Sequence, residues 1–226
     1  MRTLHRLALV GVAAIFYPAL ADAHVTVISS PNFANTSQEL TFGVAHGCAG
    51  ADTSSVRIEI PAGVTSVRPE PSDFGPVTIE KDNTDTITAV SWTKPAASVL
   101  PSDVLYYKLT VRVKFPDKAF QTVSFLAHQT CTAGDGGIAS EDWIQDGGAN
   151  PAPVVNLVPA RSPGWNKYTV PAAIPDLSVF FGDAVIVWKG NAAYSANAQT
   201  AAQITSTAGV TPLTSLSAND EVWVKY

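Results

Sequence analysis

Residues 56–60 read Val-Arg-Ile-Glu-Ile, and this stretch decides the fold class. Val56, Ile58 and Ile60 fall on one side of an extended chain, while Arg57 and Glu59 fall on the other, as in a half-buried β-strand. Pro61-Ala-Gly63 follows directly and predicts a turn.

The same alternation recurs along the first 160 residues, with turn residues between the segments. No amphipathic helix of ordinary length interrupts the pattern. Many short strands joined by turns predict a mainly β chain folded as an antiparallel β-sandwich. The predicted strands cover residues 24–29, 39–44, 56–60, 86–92, 104–113 and 121–126.

The chain changes character after residue 150. Residues 150–164 contain four prolines, which predicts an extended linker with room for one strand at 154–158. Beyond it, short strands at 168–171, 184–189 and 221–226 mix with helices at 175–181 and 196–204. We therefore predict a sandwich over residues 24–160 and a small α+β extension over 161–226, whose aromatic residues pack it together.

The 226 residues are 46% hydrophobic and 15% charged, which excludes a disordered tail. The formal net charge of −5 argues against a nucleic-acid partner, because no basic field is available to displace counterions from phosphates. The chain has no G-x-S-x-G elbow, H-E-x-x-H, P-loop or G-x-G-x-x-G motif, and we expect no catalytic residues.

Residues 1–23 are predicted to form a secretory signal peptide. Arg2 and Arg6 precede an apolar run at residues 7–20, and Ala21-Asp-Ala23 is a small-x-small cleavage site. The apolar run is shorter than the ~20 residues that a membrane span needs. We expect no later membrane span, and a periplasmic or secreted mature protein.

Cleavage after Ala23 would make His24 the first residue of the mature chain. The free amine and the imidazole of that residue have ordinary pKa values of about 8 and 6.5, so both can be deprotonated near neutral pH. Two nitrogen donors on one residue suit Cu(II), which heads the affinity order of the divalent first-row metals and prefers nitrogen and oxygen ligands. The alternative is that His24 lies at the cleavage site by chance.

Cys48 and Cys131 are the only cysteines. In an exported chain they are expected to form a disulfide. The competing interpretation is a tetrahedral zinc site, since His46 and His128 lie close to the two cysteines in sequence.

Several motifs together resemble the YcnI-like domain family, once catalogued as a domain of unknown function. The resemblance covers residues 24–160 and rests on a mature His-Val-Thr start, on residues 44–48 and 56–64, and on Trp92. Residues 129–131, Trp143-Ile144 and 151–159 follow in the family's order.

This resemblance implies an exported Cu(II)-binding protein with a cupredoxin-like or fibronectin-like β-sandwich. It implies a brace in which the amine and imidazole of His24 chelate copper, a carboxylate joins them, and Trp143 stands nearby. Glu39 is the first candidate for the carboxylate, and Glu141 and Asp142 are the alternatives.

The role implied is that of a metallochaperone in copper trafficking and homeostasis, with copper-transport membrane proteins or other copper chaperones as partners. The single Met, at position 1, argues against a thioether-rich Cu(I) site. The alternative functions are a β-sandwich interaction module that binds no metal and, more remotely, a copper oxidase or oxygenase.

Overall fold

The computed structural model describes residues 24–226, and the predicted signal peptide at 1–23 lies outside them. The chain is mainly β, as predicted from sequence. Residues 24–160 form twelve strands: β1 Val25–Val27, β2 Asn32–Phe33, β3 Ser37–Val44, β4 Asp52–Glu59, β5 Thr65–Pro69, β6 Val77–Lys81, β7 Ile87–Thr93, β8 Tyr107–Lys114, β9 Gln121–Ser124, β10 Ala127–Thr132, β11 Ile138–Trp143 and β12 Val154–Val158.

Two antiparallel sheets form the sandwich. One has the strand order β1-β3-β8-β5 and the other has the order β11-β10-β4-β7-β6. Leu40 and Phe42 from the first sheet pack against Val56, Ile58 and Trp92 from the second in a single buried cluster. The alternation of apolar and polar residues in β4 therefore places its apolar side in this core, as the sequence indicated.

The proline-rich stretch is part of the sandwich as well as a connection. Strand β12 occupies residues 154–158, as predicted, and pairs parallel with β2 and antiparallel with β9. Val155 and Leu157 of β12 are buried in the sandwich core. The prolines on either side of β12 limit its length, since they cannot donate to a strand ladder.

The remaining strands and helices belong to the C-terminal unit, residues 161–226. In chain order they are β13 Trp165–Thr169, α1 Ser178–Phe181, β14 Ile186–Lys189, β15 Ala192–Tyr194, α2 Ala198–Ser206, β16 Thr211–Pro212 and β17 Glu221–Lys225. Their strands form one sheet of order β13-β17-β14-β15-β16. Asn197 begins α2, where its side chain accepts hydrogen bonds from the backbone N–H groups of Gln199 and Thr200.

The core of the C-terminal unit is continuous with the sandwich, because Phe120 and Val158 belong to the same buried cluster as Phe180 and Phe181. Phe120, between β8 and β9, lies 5.8 Å from Phe180 and 5.5 Å from Phe181 between ring centroids. Arg161 forms an ion pair with Asp183 at 2.6 Å. Over residues 24–226, no helix is both long enough and apolar enough to cross a membrane.

Candidate metal centre

His24 lies at the open edge of the sandwich. It directly precedes β1, an outer strand of its sheet, and the register pairs Val25 with Val44. The His24 imidazole is half-buried, and its centroid lies 5.1 Å from the centroid of the Trp143 ring, at an interplanar angle of 43°. The structure therefore brings together two residues that are far apart in sequence and that the family resemblance had named for one site.

Trp143 is held rigidly at this edge. It is the last residue of β11, the outer strand of the opposite sheet, and only 4% of it is exposed. Its indole Nε1 donates a hydrogen bond to Gln129 Oε1 at 3.1 Å. Because the indole has one donor and that donor is used, the ring presents only its carbon surface to His24.

Gln129 is a supporting residue that the sequence analysis noted within residues 129–131 but gave no role. Its amide nitrogen donates to the backbone oxygen of His46 at 2.6 Å and to Thr53 Oγ1 at 2.8 Å. Gln129 is 1% exposed. Its amide nitrogen makes both of these bonds and its amide oxygen accepts the bond from Trp143, so the buried amide is satisfied. The signal available in the sequence was a polar residue in phase with Ala127 and Cys131 on the buried side of β10.

Glu39 is not placed near His24. Strand β3 runs antiparallel to β1, so Val44 lies beside Val25 while Glu39 lies at the far end and pairs with Arg112. Five residues of strand separate Val44 from Glu39, which is about 17 Å. Glu39 is exposed there. The strand register therefore excludes Glu39 as the carboxylate of a site at His24.

Glu141 and Asp142 lie on opposite sides of β11. Glu141 pairs with Gln129 and shares the inward side with Trp143, whereas Asp142 pairs with His128 on the outward side. The Asn150 Nδ2 donates to Glu141 Oε2 at 3.1 Å. Of the three carboxylates considered from sequence, Glu141 is the one whose strand position faces the Trp143 side.

His46 also lies close to this edge, through its main chain. Its oxygen accepts the Gln129 hydrogen bond, while its imidazole Nδ1 lies 3.7 Å from Asp103 Oδ2. The same Asp103 oxygen accepts a hydrogen bond from the Gly47 N–H at 2.6 Å. Asp103 thereby fixes the turn that carries His46.

Cys48 and Cys131 form a disulfide, as expected for an exported chain. The bond ties the turn after β3 to β10, two residues from Gln129, and thus supports the Trp143 anchor. The zinc alternative fails because both sulfurs are consumed and because His128 points away from Cys131, on the outer side of β10.

His128 belongs to a charged network on that outer side. Its Nδ1 lies 2.7 Å from Asp142 and its Nε2 lies 3.2 Å from Glu59. Arg57 donates to Glu59 at 2.7 Å and also to Glu80. The Arg57 hydrogen bond outweighs the effect of burial and lowers the pKa of Glu59 below its usual value.

Among residues 24–226, no three His, Cys, Asp or Glu side chains converge as a metal-binding group. A site at His24 would instead draw on a main-chain nitrogen together with the imidazole. The donor chemistry fits Cu(II), because both donors are nitrogens and Glu141 lies on the same side of β11 as Trp143.

The sequence profile of a family described as a domain of unknown function, DUF1775, matches residues 24–157. This family contains the YcnI-like proteins. Among curated proteins, none matches the chain significantly.

Two solved structures are similar. A crystal structure of an uncharacterized protein from Nocardia farcinica, described as having an immunoglobulin-like fold, is 26% identical with a TM-score of 0.49. The match covers 60% of this chain and 99% of that one. A DUF4466 family protein from Parabacteroides merdae is 13% identical with a TM-score of 0.26, over 65% of this chain and 45% of that one.

Proposed function

The chain belongs to the DUF1775 family, and we propose that its exported form binds Cu(II) at His24 and acts in copper trafficking. The observation that carries the proposal is the 5.1 Å separation between the His24 and Trp143 rings at the sandwich edge. The fold thereby holds the predicted mature N-terminus against a fixed aromatic wall rather than leaving it as a free tail.

Cleavage after Ala23 supplies the chelating group. The main-chain nitrogen of His24 becomes a free amine. This amine and the imidazole of the same residue can then chelate a single ion. Cu(II) outcompetes the other divalent first-row metals for such donors. Both nitrogens bind the metal only in their deprotonated forms, so protons compete with Cu(II) and affinity should fall in acid.

Trp143 is proposed to shield the ion rather than to ligate it. Its single N–H is bonded to Gln129, so the indole contributes a flat apolar surface on one side of His24. Such a surface limits access of water and of competing ligands, and it lowers the freedom of the imidazole before copper binds.

Glu141 is proposed as the oxygen donor. It lies on the inward side of β11, two residues from Trp143 on the same face. Glu141→Gln should weaken Cu(II) binding at least tenfold, in line with the loss of one ligand or its support. Asp142→Asn, on the outward side, is the matched control and should leave affinity unchanged. The reverse ranking would contradict the assignment.

The proposed role is non-catalytic. Brace-type oxidation chemistry normally uses a second histidine, and here His128 lies on the outer face while the His46 imidazole lies beside Asp103. A protein that holds Cu(II) through a single histidine at the edge of its sandwich is suited to accept and pass on the ion. Its partners would be copper-transport membrane proteins or other copper chaperones, in the periplasm or outside the cell.

The test compares two forms of the chain lacking residues 1–23. One begins at His24 and the other carries one added residue before it. With one equivalent of Cu(II), the electron paramagnetic resonance spectrum of the form that begins at His24 should show nitrogen hyperfine coupling. The spectrum of the form with an added residue should lack that coupling. His128→Ala is the matched histidine control and should retain it.

Trp143 gives an independent readout. Because its ring lies beside His24, Cu(II) should quench the fluorescence of Trp143 in the form that begins at His24, and Trp143→Phe should remove most of that change.

Equal Cu(II) binding by both N-terminal forms would refute the brace. No tight binding in either form would favour the interaction-module alternative, and turnover of a substrate with peroxide above that of free copper would favour an oxidase or oxygenase.

A further inference from the structure

Three of the five tryptophans lie on one outer face of the C-terminal sheet, away from its core. In β17, Val222 and Val224 are buried, whereas Trp223 between them is 50% exposed. Trp165 on β13 is 52% exposed, and Trp188 on β14 is partly exposed. The sequence prediction that these aromatic residues pack the unit holds for Phe180 and Phe181 but fails for Trp165 and Trp223.

The strand register arranges these indoles in a row. Trp188 pairs directly with Trp223, and Trp165 lies on the next strand, two residues along from the partner of Trp223. Directly paired residues have Cβ atoms about 5 Å apart, and diagonal ones are about 7–8 Å apart. The three indoles therefore lie on the same face of three adjacent strands.

Each exposed tryptophan on β13 and β17 faces a lysine across the ladder. Trp165 pairs with Lys225, and Trp223 pairs with Lys167. Lys167 also contacts Glu221 at 2.9 Å, so two lysines and one glutamate give this face a formal charge of +1. The whole chain carries −5, which makes the face locally opposite in sign to the protein.

We propose that this face binds an acidic polysaccharide, with sugar rings stacked on the indoles and carboxylates paired with the neighbouring lysines. Flat indole surfaces offer large contact area to the C–H face of a sugar ring at little cost in side-chain entropy. The alternation of indole and ammonium matches a chain in which apolar ring faces and carboxylates also alternate. The proposal is independent of copper binding at His24.

The charge pattern argues against the other occupants of such a face. A protein-docking surface needs a contiguous apolar patch, and here Lys167, Glu221 and Lys225 share the face with the tryptophans. Single-stranded nucleic acid also stacks on aromatic residues, but it needs a positively charged groove along its backbone, and a net charge of −5 opposes it.

The test is affinity electrophoresis of the full mature chain in native gels that contain polygalacturonate, with dextran gels as the neutral comparison. Polygalacturonate should retard the protein and dextran should retard it much less. Trp223→Ala should raise the dissociation constant about tenfold, as for the loss of one stacking contact. Lys225→Ala should raise it about threefold and reduce its dependence on salt.

Ile138→Ala is the matched control, because Ile138 is a 77% exposed apolar residue on β11 of the sandwich. It should leave retardation unchanged. Trp223→Tyr keeps an aromatic plane and should retain most binding even if Trp223→Ala proves unstable in thermal unfolding followed by circular dichroism.

Retardation that persists unchanged in both Trp223→Ala and Lys225→Ala would overturn the proposal. Equal retardation by dextran and polygalacturonate would show that the lysines do not select an acidic sugar and would overturn the proposal. Tighter binding to single-stranded DNA would overturn it in favour of nucleic acid. Self-association through this face would appear in sedimentation as a dimer that Trp223→Ala dissociates, and it would also overturn the proposal.

Discussion

The sandwich and the C-terminal unit use tryptophan in opposite ways. In the sandwich, Trp92 is fully buried and Trp143 is 4% exposed with its N–H bonded to Gln129. In the C-terminal unit, Trp165 and Trp223 stand half-exposed on the outside of a sheet. A buried and bonded indole orients a neighbour, whereas an exposed one is free to meet a ligand, so the same residue type indicates different functions in the two regions.

The two regions also differ in what holds them together. The sandwich contains the disulfide and a buried ion pair, in which Lys94 Nζ contacts Asp52 Oδ2. The core of the C-terminal unit is built from apolar side chains around Phe181. The free energy of unfolding of the sandwich should therefore depend on its disulfide and buried charge pair, and that of the C-terminal unit on its apolar core.

Removal of the disulfide should have the largest effect. Cys48 and Cys131 are 83 residues apart, and closing a loop of that length contributes about 4.5 kcal/mol in the chain-entropy model. The double variant Cys48→Ala/Cys131→Ala should lose roughly this free energy of unfolding in guanidinium titrations. A loss confined to the C-terminal unit would contradict the assignment of the bond to the sandwich.

Phe181→Ala should destabilise the C-terminal unit by about 4 kcal/mol, because it removes a fully buried aromatic ring from a packed core. Cu(II) binding at His24 should be unaffected, because Phe181 and Trp143 belong to different buried clusters. Guanidinium titration gives the free energy of unfolding, and the Cu(II) electron paramagnetic resonance spectrum of the same sample reports binding at His24. Loss of the copper signal under folding conditions would show that the C-terminal unit supports the site.

Asp52→Asn should cost the sandwich about 3 kcal/mol, because it leaves the Lys94 ammonium buried without its counter-charge. Burial by itself would raise the pKa of Asp52, but hydrogen bonds from Lys94, the Leu100 N–H and Tyr107 outweigh burial and lower it below its usual value. The ionised carboxylate therefore stabilises the fold at pH values above its unfolded pKa of about 3.9.

This sign gives a second measurement. As the pH falls from about 4 through the lower folded pKa, Asp52 takes up a proton and its contribution is lost. The difference in unfolding free energy between the wild-type chain and Asp52→Asn should thus be constant near neutral pH and shrink in acid. A difference that grows in acid would contradict the direction of the pKa shift.

Glu80→Gln should have the smallest effect, below about 1 kcal/mol, because its ion pair with Arg57 is exposed on the outer face of the sandwich. The residual effect should weaken further in 1 M salt. Compared with Asp52→Asn in the same buffer, it isolates how much burial adds to a charge pair. A loss as large as that of Asp52→Asn would mean that the outer network acts as a unit.

Local pattern was sufficient for several elements because a strand with one buried side has a period that the sequence displays. The core positions of β4 were predicted in this way, whereas β12 was predicted from its place between the prolines of residues 150–164. Strand β8 begins at Tyr107 rather than Val104, and the residues before it, Val104 and Leu105, are exposed. An apolar run alone does not show where pairing begins.

Strands β2, β5, β6, β10, β11, β15 and β16 were not predicted. The side chains of β6 are almost all exposed, so it lacks the apolar alternation that marks a strand, and its pairing with β7 defines it. In β10, polar residues such as Gln129 occupy buried positions, where hydrogen bonds to other parts of the chain satisfy them. Neither condition is visible in a local window.

The sequence by itself determined the mainly β fold through local periodicity, and it marked the two cysteines by their count and His24 by the predicted cleavage site after Ala23. Only the tertiary structure decided that Trp143 lies against His24, that Glu39 does not, and that Glu141 faces inward. Those facts depend on strand register, and a shift of register changes which residues meet without altering any local pattern. The same reason explains why the tryptophan–lysine ladder of the C-terminal sheet became visible only once its strands were paired.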